Sequence, residues 1–283
     1  MAALAHTDLP AATPAQRVRA TFADALRRLF RPVRATATPA FTLFPDWATW
    51  TCAWLIGAGV TLAGMAYVDP VVMTWQREVT GFAALVFEIL TDIGKSGWFL
   101  IPTGVLTLAI LIRAPLAKDF SERVVLALCA RAAFLFLAVG GSGLIITIVK
   151  RLIGRARPWA FDAMGTLYFN PTAWSAQFAS FPSGHSQTAF AIAIALLCLF
   201  PRWRSWLLAV AVIVAASRVI VDAHYFTDIV VGSMWGAWFT WMTREWFARR
   251  GLVFSPSASR APFPMPQARV RAAFKRLIDR PFP

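Results

Sequence analysis

The sequence predicts an all-α, polytopic membrane protein with about six transmembrane helices and short amphipathic helices at the interfaces. Three observations carry this reading. The 283 residues are 58% hydrophobic and 15% charged, too apolar and too charge-poor for an ordinary soluble domain. Apolar windows near 48–68, 96–113, 124–149, 185–200, 205–221 and 225–243 approach the roughly 20 residues that a helix needs to cross lipid. Lys and Arg collect between these windows in the manner that orients membrane proteins.

Taken in order, residues 1–45 form a basic N-terminal segment without the apolar core of a cleavable signal peptide, so the first span is expected to be retained. Within it, "VRATFADALRRLFRPV" spaces Val18, Phe22, Leu26, Leu29 and Phe30 as a basic amphipathic helix on the inner leaflet. After the first span, the stretch 74–97 is again amphipathic and too charged to cross lipid. Its expected place is along the outer face, with its role as lid, anchor or brace left open. The fourth and fifth windows are short and separated by Pro201-Arg202-Trp203-Arg204, which suits a tight helical hairpin. A membrane domain over 46–246 then gives way to a basic tail, 247–283, whose "ARVRAAFKRLIDR" offers a second lipid-contacting helix. Glycines such as Gly57, Gly59, Gly64, Gly140, Gly141 and Gly143 are expected to permit close helix packing.

Basic residues dominate both ends and the turns at Arg113 to Arg123 and Arg202 to Arg204, which puts both termini in the cytoplasm and requires an even number of spans. The exceptions are Arg77, Lys95, Lys150, Arg151, Arg155, Arg157 and Arg218. Four of these share "KRLIGRARP", residues 150–158, on the side where the orientation rule disfavours them. A fixed anionic partner explains that placement. The net charge of +14 lies mostly beside spans, where anionic lipid accounts for it and nucleic acid is not needed. Cys52, Cys129 and Cys198 fall within predicted spans and read as small buried hydrophobes, with neither a disulfide nor zinc indicated.

Three stretches face the same side under this topology. In "FPSGHS", Ser183 and Gly184 precede His185 at a helix start, where free N–H groups and the helix dipole favour an anion. In "SRVIVDAHYFTD", His224 and Asp228 are four apart, so the carboxylate can orient the imidazole, while Arg218 joins them only if the chain turns near Asp222-Ala223. In "KRLIGRARP", Lys150 and Arg157 are seven apart, close to two helical turns, and are expected to point at one place. Arg151 and Arg155 are expected to point elsewhere, with lipid headgroup contact as a sufficient role. Each stretch alone is compatible with an ordinary loop or helix start; their common side is what argues for one site.

Together these stretches resemble the three-part signature of the type 2 phosphatidic acid phosphatase (PAP2) superfamily: Lys-x6-Arg-Pro, Pro-Ser-Gly-His and Ser-Arg-x5-His-x3-Asp. The resemblance covers roughly residues 50–245. It implies that His224 is the nucleophile that takes the phosphoryl group, that Asp228 orients it, and that His185 protonates the leaving oxygen. It also implies that Lys150, Arg157, Ser183, Gly184 and Arg218 hold the phosphate oxygens. Two histidines and a carboxylate are also the donors of a facial metal triad, but three nearby cations would repel a metal, so neither metal nor cofactor is expected. The expected substrate is a lipid phosphate or diphosphate of the undecaprenyl diphosphate, phosphatidylglycerol phosphate, phosphatidic acid or lipid A class. It is met at the outer face of a bacterial-type inner membrane. A lipid phosphotransferase with the same intermediate, a non-catalytic phosphate-lipid transporter and a haloperoxidase-like anion site are the competing readings. The sequence leaves the oligomeric state open.

Overall fold

The computed structural model describes residues 13–32, 47–113, 122–255 and 262. Ten α-helices account for most of them: α1 Pro14–Phe30, α2 Trp47–Ala63, α3 Asp69–Gln76, α4 Phe82–Thr91, α5 Gly97–Arg113, α6 Glu122–Ile153, α7 Phe161–Met164, α8 Gly184–Leu199, α9 Arg204–Ile220 and α10 Phe226–Arg249. Extended pairing among the described residues is limited to the isolated bridges Arg155–Phe169 and Phe254–Pro262. The fold is all-α, as expected.

Thr51–Gln76, Ala84–Ile112, Ala127–Ile153 and Pro201–Ile220 are long and apolar enough to cross a membrane by length and composition. The first of them joins α2 and α3 through a π-helical turn, Gly64–Val68. Of the other two expected windows, α8 is a shorter apolar helix, and α10 has 24 residues but carries Asp228, Arg244 and Glu245. Leu55, Ile56 and Val60 on α2 and Ile101, Val105 and Leu108 on α5 are exposed. An apolar surface of this kind suits lipid and not water. The chain is thus a multi-pass membrane protein.

The bundle centres on α8, which packs on α10, α9 and α6. Small residues allow the approach: a Cβ on Gly232 would lie 2.4 Å from the Ser183 carbonyl oxygen, and one on Gly236 would lie 2.3 Å from that of Gln187. Two hydrogen bonds tie buried polar groups together between helices. Gln187 donates to the Ser142 hydroxyl at 2.6 Å, and Trp235 donates to the Ser142 carbonyl at 3.0 Å. The expected hairpin between α8 and α9 is present, closed by a 3-10 turn at Pro201–Trp203.

At one end of the bundle, Phe134, Ala138, Ala195, Cys198, Phe247, Ala248, Val253 and Phe254 form the largest buried apolar cluster. Val253 and Phe254, just beyond α10, are part of it. α1 docks at the same end: Trp246 donates to the Leu29 carbonyl at 3.1 Å and Arg31 to that of Arg250 at 3.2 Å. A Thr13/Gln16 capping box starts α1, and Phe22, Leu26 and Phe30 stay exposed on it. Cys129 and Cys198 are buried free thiols, but Cys52 is exposed, because the face of α2 that carries it has no neighbour among the described residues that covers it. Gly57 and Gly59 likewise have no described atom within 4 Å of a notional Cβ. The C-terminal basic helix expected within 247–283 lies outside the described residues.

Candidate active site

The opposite end of the bundle collects the C-termini of α6 and α9 and the N-termini of α8 and α10. The three sequence stretches meet there. Lys150 occupies the last turn of α6, with its Nζ 3.8 Å from where a Cβ on Gly184 would stand. Arg157, Asp228, Arg151 and Arg218 all lie within electrostatic range of Lys150. His185 is within range of Arg218, Lys150, Arg157 and Lys95.

Lys150 and Arg157 converge for a different reason from the one expected. The helix does not run on to Pro158; α6 stops at Ile153, and Gly154 turns the chain with φ +65°. A Cβ there would also meet the Asn170 carbonyl oxygen at 1.8 Å, so only glycine fits. Arg157 then sits in extended backbone ahead of a 3-10 turn. Two turns of helix are replaced by a reversal that brings the two cations back together.

Ser183 is the N-cap of α8 and is fully buried, its hydroxyl accepting from the Ser186 N–H. Its own N–H donates to the Asp228 carbonyl oxygen at 3.0 Å, which fixes the start of α8 against the start of α10. Gly184 and His185 are half-buried at the first two positions of the helix, ahead of its first intrahelical bond, where N–H groups lack acceptors.

Arg218 lies in the last turn of α9, and the chain turns where expected: Asp222 adopts a left-handed φ of +55°, and the Ala223 and His224 N–H groups both donate to the Arg218 carbonyl at 3.1 Å. His224 is 1% exposed and Asp228 fully buried. His224 Nδ1 faces Asp228 Oδ2 at 3.6 Å, just beyond hydrogen-bond length, and has no hydrogen-bond partner among the described residues. Nε2 lies on the far side of the ring. Burial pushes the His224 imidazole down to about 3, with Asp228 opposing and Lys150 and Arg157 adding to the depression. The ring is therefore neutral at ordinary pH, as a nitrogen nucleophile must be.

Arg157 and Arg218 each bury an Nε that has no hydrogen-bond partner among the described residues. Arg218 is additionally held by the Thr91 hydroxyl, to which its Nη1 donates. A Cβ on Gly94 would lie 3.0 Å from His185 Cδ2. The 74–97 stretch is therefore divided: through Gln76 it continues the first long helix, and its latter part packs against α9 and α8 beside the site.

Arg155 is where the structure departs most from the sequence reading. It does not contact headgroups. Its side chain is fully buried and bridges Asp69 Oδ2 at 2.8 Å and Asp228 Oδ1. Arg151 alone fits the expected peripheral place, donating to the Trp174 and Ser175 carbonyls. Asp69 and Ser180 went unnoticed in the sequence, and Ser180 donates its hydroxyl to Asp228 Oδ2. Asp69 closes an apolar window and precedes Pro70, so it reads as a helix-edge residue; a carboxylate against lipid was the available signal.

A PAP2 superfamily profile matches residues 131–252. The chain is similar to lipid A 1-phosphatase of Rhizobium johnstonii, 40% identical over 168 residues, which is 59% of this chain and 69% of that protein. It is also similar to undecaprenyl-diphosphatase of Sulfolobus acidocaldarius, 31% identical over 99 residues, 34% of this chain and 45% of that protein. Among solved structures, a transmembrane PAP2-type phosphatidylglycerolphosphate phosphatase from Bacillus subtilis is 16% identical with a TM-score of 0.44, over 81% of this chain and 94% of that chain.

Proposed function

The chain belongs to the PAP2 superfamily, and we propose that this phosphatase removes phosphate from a membrane lipid through a phosphohistidine at His224. The observation that carries the proposal is the meeting of a neutral, buried imidazole with three cations, two of which bury donors with no partner among the described residues. Such donors await an acceptor with several oxygens.

In this reading Lys150, Arg157 and Arg218 hold the phosphate with the N–H groups at Gly184 and the Ser183 hydroxyl. Arginine grips two oxygens at once and Lys150 acts as a point charge. Nε2 of His224 attacks phosphorus and the N–P bond forms as the P–O bond to the lipid breaks, while His185, which takes up a proton as the bound phosphate offsets the cations around it, passes that proton to the leaving oxygen. Asp228 steadies the imidazole as it becomes cationic. Water then attacks phosphorus and gives a proton to His185 as the N–P bond breaks, which releases inorganic phosphate and restores the neutral His224 imidazole. Positioning and charge stabilisation do most of the work in such transfers, and the three cations supply the charge.

Lipid A 1-phosphate is the first substrate to try, because the relative at 40% identity is named for it, followed by undecaprenyl diphosphate. We place the site on the outer side of a bacterial-type inner membrane, with six crossings, both termini cytoplasmic, and basic segments 1–45 and 247–283 flanking a membrane domain over 46–246. The charge distribution supports this. The test is phosphate release by purified protein across a lipid phosphate panel in EDTA. Release by wild type and none by His224→Ala is expected; phosphate moved to a second lipid would point to a phosphotransferase instead.

A further inference from the structure

Behind His224, the structure holds a line of fully buried charge, Asp69–Arg155–Asp228. We propose that Asp69 and Arg155 are positioning residues that set both the aim and the effective charge of Asp228 toward the imidazole. The inference rests on the phosphohistidine reading above.

All five N–H donors of Arg155 are used. Nε donates to the Thr166 carbonyl, Nη1 to the Thr227 hydroxyl and Asp228 Oδ1, and Nη2 to Asp69 Oδ2 and the same Thr166 carbonyl. The guanidinium also lies 4.1 Å from the Tyr225 ring centroid. It has no donor left for a substrate oxygen, which separates it from Arg157 and Arg218. By gripping Oδ1 it leaves Oδ2 of Asp228 turned to His224, where the Tyr225 N–H and the Ser180 hydroxyl complete the hold.

Asp69 has a distinct task. Arg155 paired with Asp228 alone would be neutral and would weaken the carboxylate's pull on a developing imidazolium. A second carboxylate restores a net single negative charge to the three, in a place where water does not screen it. Three features bring Asp69 there. The π-helical turn Gly64–Val68 delivers it, a Cβ on Gly64 would meet Thr227 at 2.8 Å, and Thr227 clasps the carboxylate through both its N–H, at 2.9 Å, and its hydroxyl. π-Helical turns occur often at functional sites.

The test compares Asp69→Asn, Asp228→Asn and the double variant for phosphate release, with thermal unfolding in detergent followed for each. Asp69→Asn is expected to lower kcat about 10- to 100-fold, the scale of a misplaced catalytic group, with KM within about threefold. In the Asp228→Asn background it should lower kcat no further, since it acts through that carboxylate. A milder substitution, Thr227→Val, should show the same dependence on Asp228 if Asp69→Asn does not fold. Wild-type kcat in Asp69→Asn, a loss confined to KM, or losses that multiply in the double variant would overturn the proposal. Phosphate release by wild type that His224→Ala lacks checks the phosphatase reading separately; without it, that reading falls and the positioning role falls with it.

Discussion

Replacing Gly232 with alanine puts a methyl group 2.4 Å from the Ser183 carbonyl oxygen, where ordinary contact begins near 3.4 Å. Relief requires α8 and α10 to part by about 1 Å, because the atom in the way is backbone and cannot swing aside. That separation stretches the Ser183–Asp228 backbone hydrogen bond and moves Gly184 and His185 away from the His224–Asp228 side of the site. A 1 Å misplacement costs on the order of 100-fold in rate, and overpacking costs about 1–3 kcal/mol in stability. Single-turnover phosphate release, read beside thermal unfolding in detergent, measures both. Gly59→Ala is the control, since nothing described lies within 4 Å of its notional Cβ. A Gly232→Ala protein that turns over within twofold of wild type would refute the claim that this contact sets the site.

Thr91→Val leaves Arg218 Nη1 without its hydroxyl acceptor; an unmet buried donor costs about 1–3 kcal/mol of stability, and a guanidinium no longer held in place should raise KM for the lipid phosphate about tenfold, measured by initial rates beside thermal unfolding. His224 also gives stability a pH dependence. Its folded value of about 3 lies below the ordinary 6.5, so between those values the unfolded chain binds the extra proton. Stability is then lost as pH falls from about 6.5 toward about 3, at up to about 1.4 kcal/mol per pH unit. His224→Gln should flatten that part of the denaturation-versus-pH curve, and an unchanged slope would show that the imidazole is not the group responsible.

Much of the site was legible because its charges stand out against apolar sequence. Lys150, Arg157, Ser183, Gly184, His185, Arg218, His224 and Asp228 sit at the edges of predicted spans, and their shared side was enough to suggest convergence. Helical periodicity also predicts that Lys150 and Arg157 meet, but it fails at Gly154, whose positive φ ends α6 and reverses the chain. Arg155 is not legible in sequence, because four cations in nine residues look alike until burial separates them. Its partner Asp69 is 86 residues away, and no local pattern links the two. Gly232 and Gly236, by contrast, were available as a small-residue pair four apart on an apolar helix. The exposed Cys52 shows the limit of equating a membrane span with a buried core: in lipid, an apolar helix face needs no protein neighbour.

Rapid-quench labelling asks whether His224 carries the phosphoryl group. Purified protein is mixed with lipid phosphate labelled in the phosphate, quenched in base within the first turnover, and assayed for label bound to protein. A base-stable, acid-labile adduct is expected on wild type and none on His224→Ala, with release abolished in the variant. Label retained by His224→Ala, or phosphate released by it at the wild-type rate, would rule out His224 as the nucleophile.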